Sequence, residues 1–368
     1  MPVKQNDTAS YKELSAPAIK EIRKNLENVS LMIIDEISMV SDVILLYIHM
    51  RLCEIFNTNN SEDPFFGRIH IILFGDLLQL PPVKQDFPFI QVTNEKLVKY
   101  VGGMSPCDLW NLFDYDELTI NQRQKNDKQY CELLSRVRLG WASNDDIKIL
   151  NDRKMVFSSS NPETLVQELC NHLLESPEDT VCLLPTRIMC HILNEAMLAR
   201  ITGEEIKLVA QDNFQSNKST KKKVDQILAN DENEPCGIER VITIKIGAKI
   251  RIKRIIDIST GLVNGSLAKV VSVGKVSNGE IDSITICLDV DKKEYALKRL
   301  DFKFIAVGNI CVVRKQFPFC LSYGISIHSS QGLSLKNVYI DAGNSIFACG
   351  QTHVAIIKTF CATRFATY

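Results

Sequence analysis

The sequence of 368 residues lacks several features that would assign it to a specialised class. Its twelve cysteines form no CxxC pair and no cluster with histidines at zinc-finger spacing, which argues against a structural zinc site and predicts reduced thiols inside a cell. No apolar run reaches the ~20 residues of a membrane-spanning helix, and the polar opening MPVKQNDTAS has no signal-peptide core. We therefore expect a soluble intracellular protein.

Net charge is nearly absent, because 43 basic and 44 acidic residues give a formal value of −1. Any binding of nucleic acid must then depend on local basic grooves, since the field of the whole molecule is close to neutral. What the chain does have is 45% hydrophobic residues, enough at this length for two or three compact domains.

Two short apolar runs in the first third of the chain predict buried parallel strands. They are LMIIDE at 31–36 and IHIILFGD at 69–76, each followed or closed by acidic residues. A helical pattern over about 42–56 separates them, and another precedes them over about 11–26. Strand, helix and strand in this order predict an open α/β sheet with its site at the carboxyl ends of the strands.

The rest of the chain predicts a second α/β domain with a β-rich insertion. Residues from about 121 to 200 read as helices around the apolar strand TVCLLPT, and short alternating segments follow, separated by turn signals. Gly247, Asn264 and Gly265 are interpreted as turn residues. The predicted domains are a nucleotide-handling domain at 1–118, a second domain at 119–202 and 316–368, and an inserted β-barrel at 203–315.

Asp35 and Glu36 close the first apolar run, in LMIIDEISM. An ATPase needs one carboxylate that holds Mg²⁺ and a second that takes a proton from the attacking water, and a strand end presents both at the phosphate site. Two acids that merely cap the next helix are the alternative interpretation.

The second run ends in FGDLLQLPPV, where Gly75 permits a tight turn and Gln79 lies in a loop beside the first acids. A glutamine amide can contact both a phosphate oxygen and the attacking water. Together, DEISM and GDLLQLPPV, about 40 residues apart, resemble motifs II and III of the petite-integration-frequency (Pif-one) and RecD-like helicases of superfamily 1B.

The resemblance continues through most of the chain. LTINQRQ resembles motif IV, which implies that Arg123 reaches the γ-phosphate from the second domain, with an ordinary ion pair as the alternative. The stretch KIGAKIRIKRIIDISTGLVNGSLAKVVSV is similar to the one that opens the family's inserted barrel. LSYGISIHSSQGLSLKNVYID resembles motif V, written T-x-H-K-x-Q-G, and Ser329 stands where that pattern has lysine.

The resemblance implies a set of site residues. The catalytic residues are Asp35, Glu36, Gln79 and Arg123, of which Asp35 is also the metal ligand. The nucleotide-binding residues are Gly75, Asp76, Gln331, Gly332 and Lys358, and the DNA-binding residues are Ser326, His328 and Ser329.

The sequence departs from the family in two places. No GxxxxGK[ST] occurs in it, although that P-loop supplies the amides and the lysine that hold the β- and γ-phosphates. In QTHVAIIKTF, which resembles motif VI, Lys358 takes the place of an arginine and loses its planar fork. We therefore expect a chain truncated before motif Ib, or a transposon-derived remnant.

The resemblance implies two RecA-like parallel-sheet domains, the first incomplete, with a small SH3-like barrel in the second. It implies an ATP-dependent helicase that moves 5′ to 3′ on DNA in repair, recombination or telomere maintenance, with Mg²⁺ and ATP as cofactors. The expected partner is single-stranded DNA or a duplex–single-strand junction, with no membrane, in the nucleus or alternatively the mitochondrion.

Two other functions remain open on the sequence. One is a module without a P-loop that binds single-stranded nucleic acid or a partner and does not turn over ATP. The other is an unrelated α/β ATPase that uses only the Asp-Glu pair, and it leaves the later motifs unexplained.

Overall fold

The computed structural model describes residues 10–58, 64–103, 107–158, 161–214, 237–277, 279–305 and 311–358, and the backbone of 364–366. The opening MPVKQ lies outside these residues, as does the tail CATRFATY apart from that backbone. The chain forms two compact units: unit 1 contains Met1–Ser143 and Phe347–Ile357, and unit 2 contains Asn144–Ile346 and Lys358–Tyr368. These bounds differ from those of the predicted domains, which stay predictions.

Among the described residues, helices outnumber strands in unit 1, and strands outnumber helices in unit 2. The helices are α1 (Ala16–Asn25), α2 (Asp42–Phe56), α3 (Asn94–Val101), α4 (Lys128–Arg138), α5 (Asn144–Asn151), α6 (Pro162–Glu175), α7 (Arg187–Arg200) and α8 (Gln351–Ile356). The strands are β1 (Leu31–Ile34), β2 (His70–Leu73), β3 (Lys154–Met155), β4 (Thr180–Leu184), β5 (Ile206–Val209), β6 (Gln211–Phe214), β7 (Val241–Ile244), β8 (Lys249–Ile252), β9 (Leu267–Lys275), β10 (Ile281–Leu288), β11 (Glu294–Lys298), β12 (Leu300–Ile305), β13 (Cys311–Gln316), β14 (Phe319–Leu321), β15 (Gly324–Ser326), β16 (Asn337–Asp341) and β17 (Arg364–Ala366). Of the helices in the described part of the chain, none has the length and apolar character needed to cross a bilayer.

In unit 1, β1 and β2 pair in parallel, with Leu31 opposite His70 and Ile34 opposite Leu73, and α2 connects them. The prediction of strand, helix and strand is confirmed. The prediction that both strands are buried is wrong, because Ile33 is 59% exposed and Ile72 is 41% exposed. Among the described residues this sheet has two strands. One face packs against the core through Met32 and Ile71, and Ile33 and Ile72 lie exposed on the other face.

The core of unit 1 forms around α2. Ser41 caps this helix by accepting a hydrogen bond from the amide of Ile44, and Asn57 ends it in a left-handed conformation. Leu45, Leu46 and Leu52 are almost fully buried against apolar side chains from α3 and the flanking turns. This packing holds the carboxyl ends of β1 and β2 in place, because α2 follows β1 and precedes β2 in the chain.

Unit 2 contains a parallel sheet in the order β15-β4-β16-β17-β3. The strand predicted in TVCLLPT is present as TVCLL and is buried along its whole length, and α6 and α7 supply apolar side chains to the same core. Asn194 of α7 fixes the neighbouring strand, since its side chain accepts from the amides of Tyr323 and Gly324 and donates to the carbonyl of Gly324.

The β-rich part of unit 2 consists of antiparallel sheets in the orders β11-β10-β9-β8-β14, β12-β13-β6 and β5-β7. The first and third of these sheets share one core that includes Ile250, Ile252, Ile284 and Ile286, all with no exposed surface. Gly247 and Gly265 have φ of +89° and +97°, so their interpretation as turn residues is confirmed.

Candidate nucleotide and nucleic-acid sites

The backbone bends sharply where β1 ends. Glu36 adopts a left-handed conformation with φ 54° and ψ 47°, which is unusual for a residue other than glycine, asparagine or aspartate. Its amide donates to the Oδ1 atom of Asp35 at 2.8 Å, and the amide of Ile37 donates to the carbonyl of Phe74 at 2.9 Å. Strained backbone of this kind is found at functional sites, and here the backbone of Glu36 and Ile37 lies beside the residues that follow β2. We call residues 35–39 the acidic turn.

Gly75 makes room for the acidic turn. Its φ is +152°, and a Cβ atom at this position would lie 2.8 Å from the amide nitrogen of Ile37 and 3.0 Å from its side chain. A larger residue would therefore push the ends of the two strands apart. The sequence predicted a tight turn here, and the structure adds a close approach of two backbone segments as the reason for glycine.

The next residues form a second turn, residues 75–79, which we call the glutamine turn. The amide of Leu78 donates to the Asp76 side chain at 3.0 Å, and the amide of Gln79 donates to the Asp76 carbonyl at 2.9 Å. Arg138 of α4 pairs with the same Asp76 side chain at 2.7 Å. The Oε1 atom of Gln79 is buried and has no hydrogen-bond partner among the described residues. An unpaired buried acceptor calls for a donor, such as a water, at this position.

A segment that is distant in sequence lies against the glutamine turn. Gly350, which precedes α8, has φ +75°, and a Cβ atom there would lie 2.9 Å from the carbonyl oxygen of Leu78 and 3.0 Å from that of Gln79. The same segment receives hydrogen bonds at its other end, where the carbonyl of Ile357 accepts from Arg123 at 3.0 Å and from Gln124 at 3.2 Å.

Arg123 thus lies in unit 1 with the two acids. Burial lowers the pKa of its guanidinium, and the nearby negative charge of Glu36 acts in the opposite direction. The arginine and the glutamate are therefore within electrostatic reach of each other. Unit 1 brings together the predicted residues Asp35, Glu36, Gly75, Asp76, Gln79 and Arg123.

The motif V residues lie in unit 2, where β15 ends. The hydroxyl of Ser326 donates to the hydroxyl of Ser329 at 2.8 Å and accepts from its amide at 3.3 Å. His328 is half-buried, and its pKa is lowered by burial first and by the charge of Arg187 second. Gln331 is held by the backbone, since its amide donates to the carbonyl of His328 at 3.3 Å. We call residues 327–332 the motif V loop.

Lys358 and Gly332 complete the predicted residues of unit 2. Lys358 is 2% exposed, and its carbonyl accepts from the amide of Leu335 at 2.9 Å, so its backbone lies just beyond the motif V loop. Gly332 has φ +78° with open space at its Cβ position. The nucleotide-binding role of both residues stays a prediction.

Three arginines at these sites were not singled out by the sequence. Arg138 contacts the glutamine turn, Arg187 acts on His328, and Arg251 donates to the carbonyl of Ser329 at 2.9 Å. Each contact joins residues more than sixty positions apart, and no motif or helical spacing marks such a pair. The charge of Arg187 in LLPTR was the one signal in the sequence, since the residue follows directly on a predicted strand.

Comparison with known proteins agrees with this geometry. The family model described as PIF1-like helicase matches residues 1–146, which contain the acidic turn, the glutamine turn and Arg123. The ATP-dependent DNA helicase PIF1 of Xenopus laevis is 28% identical over 342 residues, or 92% of the chain. The chain is thus similar to PIF1-like helicases, through the family model in its first 146 residues and through this relative over most of its length.

The chain is also similar to the human ATP-dependent DNA helicase PIF1, 28% identical over 342 residues. The chain spans about half the length of these curated relatives, covering 46% of the Xenopus and of the human protein. In Bdellovibrio bacteriovorus, the relative ATP-dependent DNA helicase Pif1 is 25% identical, with 95% of the chain and 68% of the relative covered.

Solved structures that are similar to this chain show its fold. The crystal structure of Pif1 helicase from Candida albicans matches with a TM-score of 0.68 and 22% identity, over 96% of this chain and 77% of that one. The crystal structure of Bacteroides Pif1 bound to single-stranded DNA matches with a TM-score of 0.63 and 22% identity, over 100% and 75%. The parallel sheets of both units are those of a RecA-like α/β fold.

Proposed function

We propose that the chain is the greater part of an ATP-dependent DNA helicase motor that moves 5′ to 3′ in DNA repair, recombination or telomere maintenance. The observation that carries the proposal is the convergence in unit 1 of the acidic turn, the glutamine turn and Arg123. Phosphoryl transfer needs carboxylates for the metal and the water, a group that contacts the γ-phosphate, and a cation for the developing charge. In unit 1 the acidic turn supplies the carboxylates, the glutamine turn supplies the group that contacts the γ-phosphate, and Arg123 supplies the cation.

The roles follow from the chemistry of the side chains. Asp35, exposed at the end of β1, holds the metal, and Glu36 takes the proton from the attacking water. The unpaired amide oxygen of Gln79 accepts from that water, and Arg123 neutralises charge on the transferred phosphoryl group. Gly75 and Asp76 shape the turn that carries Gln79. They therefore affect the nucleotide through the position of Gln79.

ATP and Mg²⁺ fit these residues in part. No group of three or more His, Cys, Asp and Glu suited to a metal occurs among the described residues, but Mg²⁺ is usually held by one or two carboxylates together with phosphates and waters. ATP supplies the phosphoanhydride bond whose cleavage powers movement. The amides and lysine of a P-loop, which would hold the β- and γ-phosphates, have no counterpart in the sequence.

Unit 2 provides the proposed DNA-binding residues Ser326, His328 and Ser329 and the proposed nucleotide-binding residues Gln331, Gly332 and Lys358. Hydroxyls, imidazole and amides at a strand end are suitable donors to phosphate. The antiparallel sheets of residues 203–315 form the inserted SH3-like barrel in this proposal, between the second-domain segments 119–202 and 316–368, with 1–118 as the first domain. The partner is single-stranded DNA or its junction with duplex, in the nucleus or the mitochondrion.

The decisive measurement is ATP hydrolysis with and without single-stranded DNA. It is made on the 368-residue chain and on the same chain with whatever coding sequence its gene carries upstream. Stimulation by DNA in either form, and its loss in Glu36→Gln, supports the helicase motor. Glu21→Gln, an exposed change on α1, is the matched control and keeps the wild-type rate.

The absence of GxxxxGK[ST] favours a second candidate, a binding module that holds single-stranded nucleic acid or a partner without turnover. If neither form hydrolyses ATP while single-stranded DNA binds equally with and without the nucleotide, this second function replaces the first.

A further inference from the structure

Two neighbouring strands of unit 2 end at the same edge of the parallel sheet. Leu184, the last residue of β4, lies opposite Ser326, the last residue of β15, and the amide of Ile327 donates to the carbonyl of Leu184 at 2.9 Å. Arg187 follows three residues after the first of these ends, and His328 two residues after the second. The topology therefore brings Arg187 to the motif V loop, at the edge where parallel sheets bind ligands.

The backbone on both sides of this edge is fixed. The hydroxyl of Thr186 accepts from the amide of Met189 and begins α7 at Arg187. On the other side, the hydroxyls of Ser326 and Ser329 bond each other, and Arg251 donates to the carbonyl of Ser329. A site with fixed hydroxyls and a cation at its rim loses little entropy when it binds a phosphate.

Charge at this edge is positive and not neutralised by acids. The guanidinium of Arg187 is exposed, and no described residue forms a hydrogen bond or ion pair with it. Arg251 is 7% exposed, and no described carboxylate pairs with it. The acid at the end of the adjoining β16, Asp341, is buried with its Oδ1 atom bonded to the amide of Gly343. The positive charge of Arg187 also reaches His328, whose pKa it helps to lower.

We propose that Arg187 binds the nucleic-acid phosphate at the motif V loop and supplies the cation that the related motif V pattern has at position 329. The serine at 329 cannot carry charge, and the adjacent strand brings a guanidinium to the same loop. Arginine suits this place because its planar donors contact two phosphate oxygens at once. The inference rests on the proposed binding of single-stranded DNA.

The test is the salt dependence of binding to a fluorescein-labelled oligothymidylate, measured by fluorescence anisotropy with the full chain. Each phosphate contact on a single strand contributes about 0.7 to the slope of log affinity against log salt. Arg187→Ala should lower the magnitude of this slope by about 0.7 and weaken binding about fivefold at ~0.1 M salt. Lys298→Ala, which removes an exposed cation on β11, should leave the slope unchanged.

Two further variants separate the charge at this site from the folding of the chain. Arg187→Lys keeps a cation and should retain most of the slope. The double variant Arg187→Ala with Ser329→Lys should recover it, because the lysine serves the same phosphate. If the slope is unchanged in Arg187→Ala and the wild type still binds the oligothymidylate, the inference is overturned and the proposed function is not. If the wild type binds no oligothymidylate at any salt concentration, it is the proposed function that fails.

Discussion

The Nη2 atom of Arg138 lies 2.7 Å from the Oδ1 atom of Asp76, and this ion pair joins the last turn of α4 to the glutamine turn. Both side chains keep contact with water, at 39% and 22% exposure, so the pair contributes at most about 1 kcal/mol to folding. Its larger effect is on position. The same oxygen of Asp76 accepts the amide of Leu78 and so shapes the turn that carries Gln79.

Arg138→Gln should therefore change activity more than stability. We expect the free energy of unfolding to stay within about 1 kcal/mol of wild type. The rate of ATP hydrolysis, measured on the form of the chain that turns over ATP, should fall on the order of ten- to a hundredfold, because a small displacement of Gln79 misplaces the water. Lys128→Gln, at the other end of α4, should keep the wild-type rate. A wild-type rate in Arg138→Gln would show that the turn holds its shape without the pair.

Gly75→Ala should destabilise unit 1. The added Cβ atom would meet the amide nitrogen of Ile37 at 2.8 Å, so the acidic turn must shift in addition to the strain of a positive φ. We expect a loss of about 2–3 kcal/mol in the free energy of unfolding, measured with urea. Gly140→Ala is the matched control, because its φ is +75° and nothing lies within 4 Å of its Cβ position. It should cost about 1 kcal/mol, and equal losses in the two variants would argue against the close approach.

The pKa of His328 should lie below its usual value of 6.5, mainly because burial disfavours the imidazolium and further because Arg187 is positive. A histidine whose folded pKa is lowered favours the folded state above the unfolded pKa, and this contribution is lost as the pH falls from about 6.5 toward the folded pKa. A proton NMR titration of the ring measures the shift. In Arg187→Ala the pKa should rise but stay below 6.5, since burial remains. An unchanged pKa would place Arg187 too far away to act on the motif V loop.

The secondary structure was predicted best from the sequence where neighbouring residues alone determine it. The bounds of α2 follow from Ser41 as N-cap and from the change of conformation at Asn57, and the buried β4 follows from a continuous apolar run. Helix α1 was predicted too long. Pro17 favours a helix that begins close to it, and the preceding residues instead bond to α2 through the amide of Leu14 and Glu54.

Other features of the site depend on tertiary contacts that no local pattern contains. The exposure of Ile33 depends on whether another element packs on that face of the sheet, which an apolar run does not specify. The ion pair of Arg138 with Asp76 joins residues 62 positions apart. The nearness of Arg187 to the motif V loop requires the strand order of unit 2, since it arises only because β4 and β15 are neighbours.

The path of the chain has a practical consequence for protein engineering. Unit 1 includes Phe347–Ile357, about two hundred residues beyond Ser143, so no single cut yields it as one continuous fragment. A fragment that stops at Ser143 would lose the carbonyls of Ile356 and Ile357, which accept from Tyr130 and Arg123, and the backbone of Gly350 that covers Gln79. A soluble version of unit 1 would need Phe347–Ile357 joined to Ser143 by a designed linker that replaces the intervening residues of unit 2.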